Sequence, residues 1–350
     1  MATVAVALSG GLDSTAAALL LKQAGHRLIG MTMRHRYHAD ETDLEDARRV
    51  ADFLQIPFHV ISIEEPFEEI ADYFADEYLQ GRTPNPCILC NRRLKFGLLM
   101  DEALAFGADL FATGHYARLE ETPEGATIFR GVDIGKDQSY VLYGIERHRL
   151  KRLRFPVGNF RKQDIRQLVA NSGVPFPEKR ESQDVCFVPN GCHIDWVRQR
   201  RQEPETAGHF ISKDGHFLSQ HQGYERFTIG QRKGLGVGFG KRVFVLKIDA
   251  STKQVVLGSR EDLACKEFTV HDVHWLIDNP TQAISCDIKI RYRTPPHCGT
   301  VTPLLNNRVL ISLPQAVYGI APGQSAVFYV GEQLLGGGVI EGTGHLDKEP

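Results

Sequence analysis

No stretch of this 350-residue chain stays apolar for long. The longest early block, Ala16 to Leu21, falls far short of the roughly 20 residues that span a bilayer, and no later run exceeds it. A basic leader is missing too. Met1 to Leu8 is uncharged and glycines follow at once, which fits neither a secretory signal nor an arginine-rich transit peptide. A cytoplasmic protein without a membrane segment is expected. Seven cysteines, an odd number scattered through a large chain, do not make a disulfide scaffold, so any important cysteine is expected to be chemical. A net charge of -2 argues against an evenly basic nucleic-acid binder. Internal repeats and low-complexity tracts are absent.

What is present is an apolar content of 42%, enough to build cores in two or three domains. Charge is uneven: 40–46 and Glu64 to Glu77 are acidic, while Arg147 to Arg166 carries eight basic residues against Glu146 and Asp164, a pattern suited to phosphate contact or to a solvated face. Apolar runs at Val4 to Leu8, Leu28 to Met33 and Phe58 to Ile63 alternate with helical patterns at Thr15 to Ala24 and around Leu44 to Leu54. This β-α-β-α-β order predicts an α/β domain with a doubly wound parallel sheet, whose ligands bind beyond the carboxyl ends of the strands. After about Arg201 strands follow one another: Val243 to Ile248, Val255 to Leu257, Cys286 to Tyr292, Val309 to Leu313, Ala326 to Val330 and Leu334 to Ile340. The expected division is 1–200 for a nucleotide-binding and catalytic domain, 201–262 for a small central domain and 263–350 for an all-β barrel.

The first strand feeds Ser9-Gly10-Gly11-Leu12-Asp13-Ser14, which opens a helix. Glycines allow the tight turn and present N–H groups, the helix start adds positive potential, and Ser9 and Ser14 offer hydroxyls to phosphate oxygens. The spacing is neither that of a Walker loop nor that of a dinucleotide fingerprint. Asp13 beside a phosphate nest suits Mg²⁺, which would neutralise a polyphosphate leaving group. The plain alternative is a Gly-Gly turn capped by Asp and Ser. Placed between first strand and first helix, however, the motif resembles the PP-loop ATP pyrophosphatases, which cleave ATP between the α and β phosphates to adenylate a substrate oxygen.

Thr83-Pro84-Asn85-Pro86-Cys87-Ile88-Leu89-Cys90-Asn91 reads as a rigid loop before a helix from about Arg92 to Ala105. Cys90, near that helix start and followed by Arg92, Arg93 and Lys95, is expected to have a lowered thiol pKa. A further cysteine lies in Glu181-Ser182-Gln183-Asp184-Val185-Cys186-Phe187. A zinc site completed by Cys186, Cys192 or His193 competes with a nucleophilic role, although a second Cys-x-x-Cys pair is lacking. Cys265, Cys286 and Cys298 read as ordinary thiols.

Taken in order, Ser9 to Ser14, Asn85 to Asn91, Ala112-Thr113-Gly114-His115-Tyr116, Gly135-Lys136-Asp137-Gln138-Ser139, Ser182 to Phe187 and Gly230 to Gly236 make the chain similar to the MnmA family of tRNA-specific 2-thiouridylases. The resemblance implies ATP-dependent adenylation of O2 of the wobble uridine in tRNAs for Lys, Glu and Gln, followed by replacement of that oxygen with sulfur. It implies ATP contacts from Ala7, Leu8, Ser9, Gly10, Gly11, Leu12, Asp13, Ser14, Met33 and Gly114. Cys90 would be the nucleophile and Cys186 the persulfide carrier, leaving a disulfide for reductants. Asn85, Pro86 and Cys87 would meet the target base, and Lys136, Asp137, Gln138, Arg291 and Tyr292 would contact tRNA. Sulfur would come as a persulfide from a cysteine desulfurase, usually through a carrier.

Some members of the family have Asp where this chain has Cys87. Cys87, Cys90 and Cys186 together offer three thiolates, so a [4Fe-4S] cluster with one open iron is the alternative route for sulfide. A small-molecule PP-loop synthetase and a non-catalytic nucleotide or metal sensor are the competing functions. His115 reads either as a phosphate or base contact or as a backbone-satisfied turn residue. Alternation over Cys286 to Arg293 predicts Ile288, Ile290 and Tyr292 on one face and Lys289, Arg291 and Arg293 on the other, either following phosphates or solvated.

Overall fold

A computed structural model of the chain describes residues 1–37, 42–123, 125–174, 185–188, 192–202, 204–238, 240 and 242–342. Glu181 to Asp184 of the cysteine motif, and the acidic positions 40 and 41, lie outside them. Strands β1 (Thr3–Ala7), β2 (Arg27–Arg34), β3 (Phe58–Ser62), β4 (Leu110–Ala112) and β7 (Leu153–Arg154) form a parallel sheet in the order β3-β2-β1-β4-β7. Pleating of β1 sends Val4 and Val6 to a core shared with α1 (Leu12–Gln23), α2 (Thr42–Leu54) and α6 (Lys162–Ser172). Ala5 faces the opposite core, which holds Phe96, Leu99, Met100 and Phe111. Both faces are therefore covered, as expected for a doubly wound sheet.

The second face is covered by one continuous helical run: α4 (Pro86–Cys90), a π-helical stretch (Asn91–Leu99) and α5 (Met100–Ala105). Helix α3 (Glu64–Leu79) packs with α7 (His193–Arg200) around Phe67, Phe74, Phe187 and Trp196. The central unit pairs β10 (Phe244–Asp249), β11 (Gln254–Gly258), β8 (Gly208–Ser212) and β9 (Phe217–His221) in that order, over a core of its own containing Phe210, Val245 and Val255.

The final unit is a closed antiparallel barrel. Strands β12 (Ala264–Trp275), β15 (Val309–Tyr318), β14 (His297–Pro303), β13 (Ile284–Lys289), β16 (Ser325–Val330) and β17 (Gln333–Gly342) follow one another, and β12 pairs with β17 to close the ring. The sequence reading missed one connection. A hairpin of β5 (Ala117–Thr122) and β6 (Gly125–Arg130), inserted between β4 and β7, extends the barrel sheet through Gln333 and Phe129. Leu276, Val327, Tyr329 and Leu334 of the barrel accordingly share a core with Phe96 and Phe111 of the first unit.

Candidate active site

In the strand order β3-β2-β1-β4-β7 the chain reverses direction across the sheet between β1 and β4, and ligands bind such sheets at that crevice. Ser9 to Ser14 leave the end of β1, and Thr113 and Gly114 leave the end of β4. Gly114 touches the loop so closely that a Cβ there would lie 2.6 Å from the Asp13 carbonyl carbon and 2.7 Å from the Ser14 nitrogen. Gly10 has φ +69°, and a Cβ would meet Asp46 Cβ at 2.5 Å, so the sharp turn and the start of α2 both require glycine. Ser14 Oγ donates to the Gly11 carbonyl at 3.0 Å and accepts from the Ser9 N–H at 3.2 Å, and the two hydroxyls lie 3.1 Å apart. The result is a compact nest at the start of α1, between Ala7 and Leu8 at the end of β1 and Leu12, the first residue of the helix. Met33, at the end of neighbouring β2, packs against both the sheet core and the core beneath the cysteines.

The structure places the Asp13 carboxylate differently from the Mg²⁺ expectation. Lys162 Nζ lies 2.7 Å from each of its oxygens, and the Tyr116 hydroxyl donates to Oδ1 at 2.8 Å. The Lys162 side chain is only 12% exposed. In the sequence it is one member of a basic run suited to phosphate contact or to a solvated face, and nothing local marks it as the partner of Asp13. Asp13 fits Mg²⁺ only once this pairing is exchanged.

The cysteines require a correction. The helix begins at Pro86, with Asn85 as its N-cap, so Cys90 closes the first helical segment instead of preceding a helix. Arg92 pairs with Asp272 at 3.4 Å and Arg93 with Glu69 at 2.9 Å, which turns both away. Lys95 remains. The i→i+5 spacing of the π-helical stretch sets it one turn beyond Cys90, and its charge is felt by Cys87, Cys90 and Cys186 alike. Burial outweighs it: the Cys87 and Cys90 thiols are pushed up from their ordinary values, and Cys186 up to about 12. Cys87 and Cys186 still present open surface, so both thiols are reachable although protein surrounds them closely. Cys186 is fixed by Phe187, whose ring packs edge-on against Phe67 and Phe74. All seven cysteines are free thiols.

Among the described residues no group of three His, Cys, Asp or Glu side chains is arranged to hold a metal ion. The zinc site is not assembled among them, while the Cys186 thiol feels both Cys90 and Cys87. His115 is buried; Thr113 Oγ1 lies 2.7 Å from its Nδ1, and burial, followed by the Lys95 charge, lowers its pKa well below the usual histidine value. It therefore stands neutral between Gly114 and the ring of Phe96.

Asp137 is buried and organises its own loop, accepting from Gly131 N–H at 3.1 Å, Ser139 N–H at 3.0 Å and Ser139 Oγ at 3.0 Å. Gln138 Oε1 accepts from the Tyr116 N–H at 2.9 Å, which ties this loop to the residue that holds Asp13. Lys136 is half-buried at the loop tip. Arg291 Nη2 donates to the Ile229 and Gly319 carbonyls at 2.9 and 2.7 Å, joining the central unit to the barrel. Tyr292 departs from the expected alternation. Strand β13 ends at Lys289, so the two-residue period lapses and Tyr292 turns outward, 39% exposed, its ring 5.9 Å from that of Tyr140. Of the basic run, Arg147 pairs with Asp278 and Arg149 with Asp101, so much of that charge is matched internally.

A glycine nest at the switch point of a doubly wound sheet, with a buried lysine against its aspartate, defines a nucleotide-binding protein of the PP-loop class. Three family models cover the chain in succession: a tRNA methyl transferase HUP domain over residues 2–190, a tRNA methyl transferase PRC-barrel domain over 195–259 and an aminomethyltransferase beta-barrel domain over 265–340. The chain is 41% identical over 354 residues to the tRNA-specific 2-thiouridylase MnmA of Geobacter metallireducens, covering 97% of this chain and 96% of that one. It is 40% identical over 346 residues to tRNA-specific 2-thiouridylase MnmA 1 of Clostridium botulinum, covering 97% and 98%. It belongs to the MnmA family of tRNA-specific 2-thiouridylases.

Proposed function

We propose that this protein is a tRNA-uridine 2-sulfurtransferase that adenylates O2 of the wobble uridine and exchanges that oxygen for sulfur carried as a persulfide. One observation carries the reading. Cys90 packs on the same core as Val185 and Phe187, which flank Cys186, and that core includes Met33 from the nucleotide sheet; both thiols feel the Lys95 charge. A small-molecule synthetase would have no use for that cysteine pair. ATP would lie in the nest from Ala7 to Ser14 with Met33 and Gly114 alongside, and its phosphates would draw Lys162 off Asp13. Mg²⁺ held by the freed carboxylate would neutralise charge on the departing pyrophosphate.

O2 attacks the α-phosphorus and pyrophosphate leaves. The Cys90 thiolate then attacks Sγ of the Cys186 persulfide; the terminal S–S bond breaks, a Cys90–Cys186 disulfide forms, and the freed sulfide bonds to C2 as AMP departs with the oxygen. A thiol reductant restores both cysteines. Asn85, Pro86 and Cys87 would meet the uridine, while the loop of Lys136 and Gln138, shaped from inside by Asp137, and Arg291 and Tyr292 would make the tRNA-facing side, with residues 1–200 catalytic and 263–350 as the barrel that contacts tRNA. Wobble-uridine tRNAs for Lys, Glu and Gln are the expected substrates, and a cysteine desulfurase or carrier the persulfide source, in the cytoplasm. No helix among the described residues is long and apolar enough to cross a membrane.

The test is incubation with tRNA, ATP, Mg²⁺ and a desulfurase–cysteine mixture, followed by nucleoside mass spectrometry. Wild type should form 2-thiouridine and release pyrophosphate, and Cys186→Ala should form none. Full product from Cys186→Ala, or stoichiometric iron and acid-labile sulfide in anaerobically purified protein, would overturn the persulfide route.

A further inference from the structure

Lys289 ends β13 with its ammonium 5.8 Å from the Tyr140 ring centre and 5.6 Å from that of Tyr292. Among the described residues its Nζ makes no hydrogen bond and no ion pair. The opposite charge it feels is Asp137, whose oxygens already accept from Gly131 and Ser139. Behind it sits a second cation. The Arg130 guanidinium lies over the Tyr329 ring, 4.1 Å from its centre, and its enclosed Nε and Nη2 have no acceptor. Folded proteins seldom leave buried donors unmet. Burial, with Arg130 adding repulsion, pushes the Lys289 pKa down. Two cations beside one occupied carboxylate leave this spot short of an anion, and Tyr292, on its exposed side, feels the charge of Cys87.

We propose that Lys289, backed by the Arg130 charge, binds a backbone phosphodiester of the nucleotide whose base is offered to the cysteines, with Tyr140 and Tyr292 walling the site. This rests on the reading that the substrate is tRNA. The ATP phosphates already have the nest between β1 and β4, whereas this pocket lies on the barrel strand that leads into Arg291 and Tyr292. The chemistry alone, a phosphoryl oxyanion between an ammonium and aromatic faces, is also that of free phosphate or pyrophosphate, so the test must separate the two sources.

The test is fluorescence anisotropy of labelled tRNA against wild type, Lys289→Gln, Lys289→Arg and Arg130→Lys across a range of KCl concentrations. Lys289→Gln should bind about tenfold more weakly, with its log–log salt slope reduced by about one. Lys289→Arg should restore both, and Arg130→Lys should fall between. Binding of a fluorescent ATP analogue and the melting temperature of Lys289→Gln should match wild type. Wild-type affinity and slope in Lys289→Gln would overturn the pocket while leaving the tRNA reading intact. A wild-type protein that binds no tRNA would overturn both. Binding of inorganic phosphate or pyrophosphate that is lost in Lys289→Gln while tRNA binding is unchanged would assign the pocket to a free anion, which also overturns the proposal.

Discussion

Lys162 reaches from the first turn of α6 to lie 2.7 Å from both carboxylate oxygens of Asp13, in the first turn of α1. The pair holds the loop's own carboxylate and a largely buried lysine side chain together at the phosphate nest. Lys162→Met should lower ATP-dependent pyrophosphate formation by about 10²–10³, the usual loss when a preorganised donor to developing charge is removed. The carboxylate, one-third exposed and still held by the Tyr116 hydroxyl, should cost about 0.5–1 kcal/mol of folding stability when its cation is removed. Pyrophosphate assay and denaturant melts check the two parts. Activity within about threefold of wild type would remove Lys162 from the reaction.

Gly114→Ala is the sharpest steric test of the nest. The new methyl would sit 2.6–2.8 Å from Asp13 and Ser14 backbone atoms, so the loop must move. Nucleotide affinity should fall at least about tenfold, equivalent to about 1.4 kcal/mol, with tRNA affinity unchanged. Calorimetric titration with a non-hydrolysable ATP analogue would show it.

The cysteines should behave as quiet thiols at rest. Because burial raises their pKa, the thiolate fraction at pH 7 is below that of free cysteine, and it grows as pH rises toward the raised value. Alkylation of Cys90 and Cys186 by iodoacetamide should thus be slower than that of free cysteine at pH 7 and still rising at pH 9. Removing the opposing charge with Lys95→Met should slow it further. Faster-than-cysteine labelling at pH 7, followed by peptide mass spectrometry, would contradict this account.

Gly323 supports the thiol loop from the barrel. It has φ +86° and a Cβ would lie 3.0 Å from Thr83 N and O, while neighbouring Gln324 donates to the Thr83 carbonyl at 2.8 Å. Gly323→Ala should cost about 1–2 kcal/mol from the left-handed backbone alone. It should also reduce thiolation more than nucleotide binding, as read by melting and by a comparison of the two assays.

Much of this was legible in the sequence for a simple reason. Local periodicity reports local structure, so β1 to β3, α1 and α2 appeared within a residue or a few of their positions, and a glycine loop between strand and helix is a local motif. What could not be read depends on residues far apart in the chain. Lys162 and Asp13 are 149 positions apart. Arg92 and Arg93 follow Cys90 closely in sequence, but Asp272, 180 positions from Arg92, and Glu69 turn them aside. Tyr292 was assigned a face by extending a strand period past the point where pairing stops. Thiol acidity was misjudged because proximity to a helix start is visible in sequence and desolvation is not.

The β5–β6 hairpin has a consequence for how the chain can be divided. It leaves the nucleotide sheet after β4, pairs with the start of β17 through Phe129 and Gln333, and returns to the same sheet as β7. With barrel side chains such as Tyr329 and Leu334 in the core of the first unit, a cut near residue 263 would strip that core and leave a strand edge unpaired. The first and last units should therefore melt in a single transition, and recombination between relatives should tolerate exchange of the central unit, with its separate core, far better than exchange of the barrel alone.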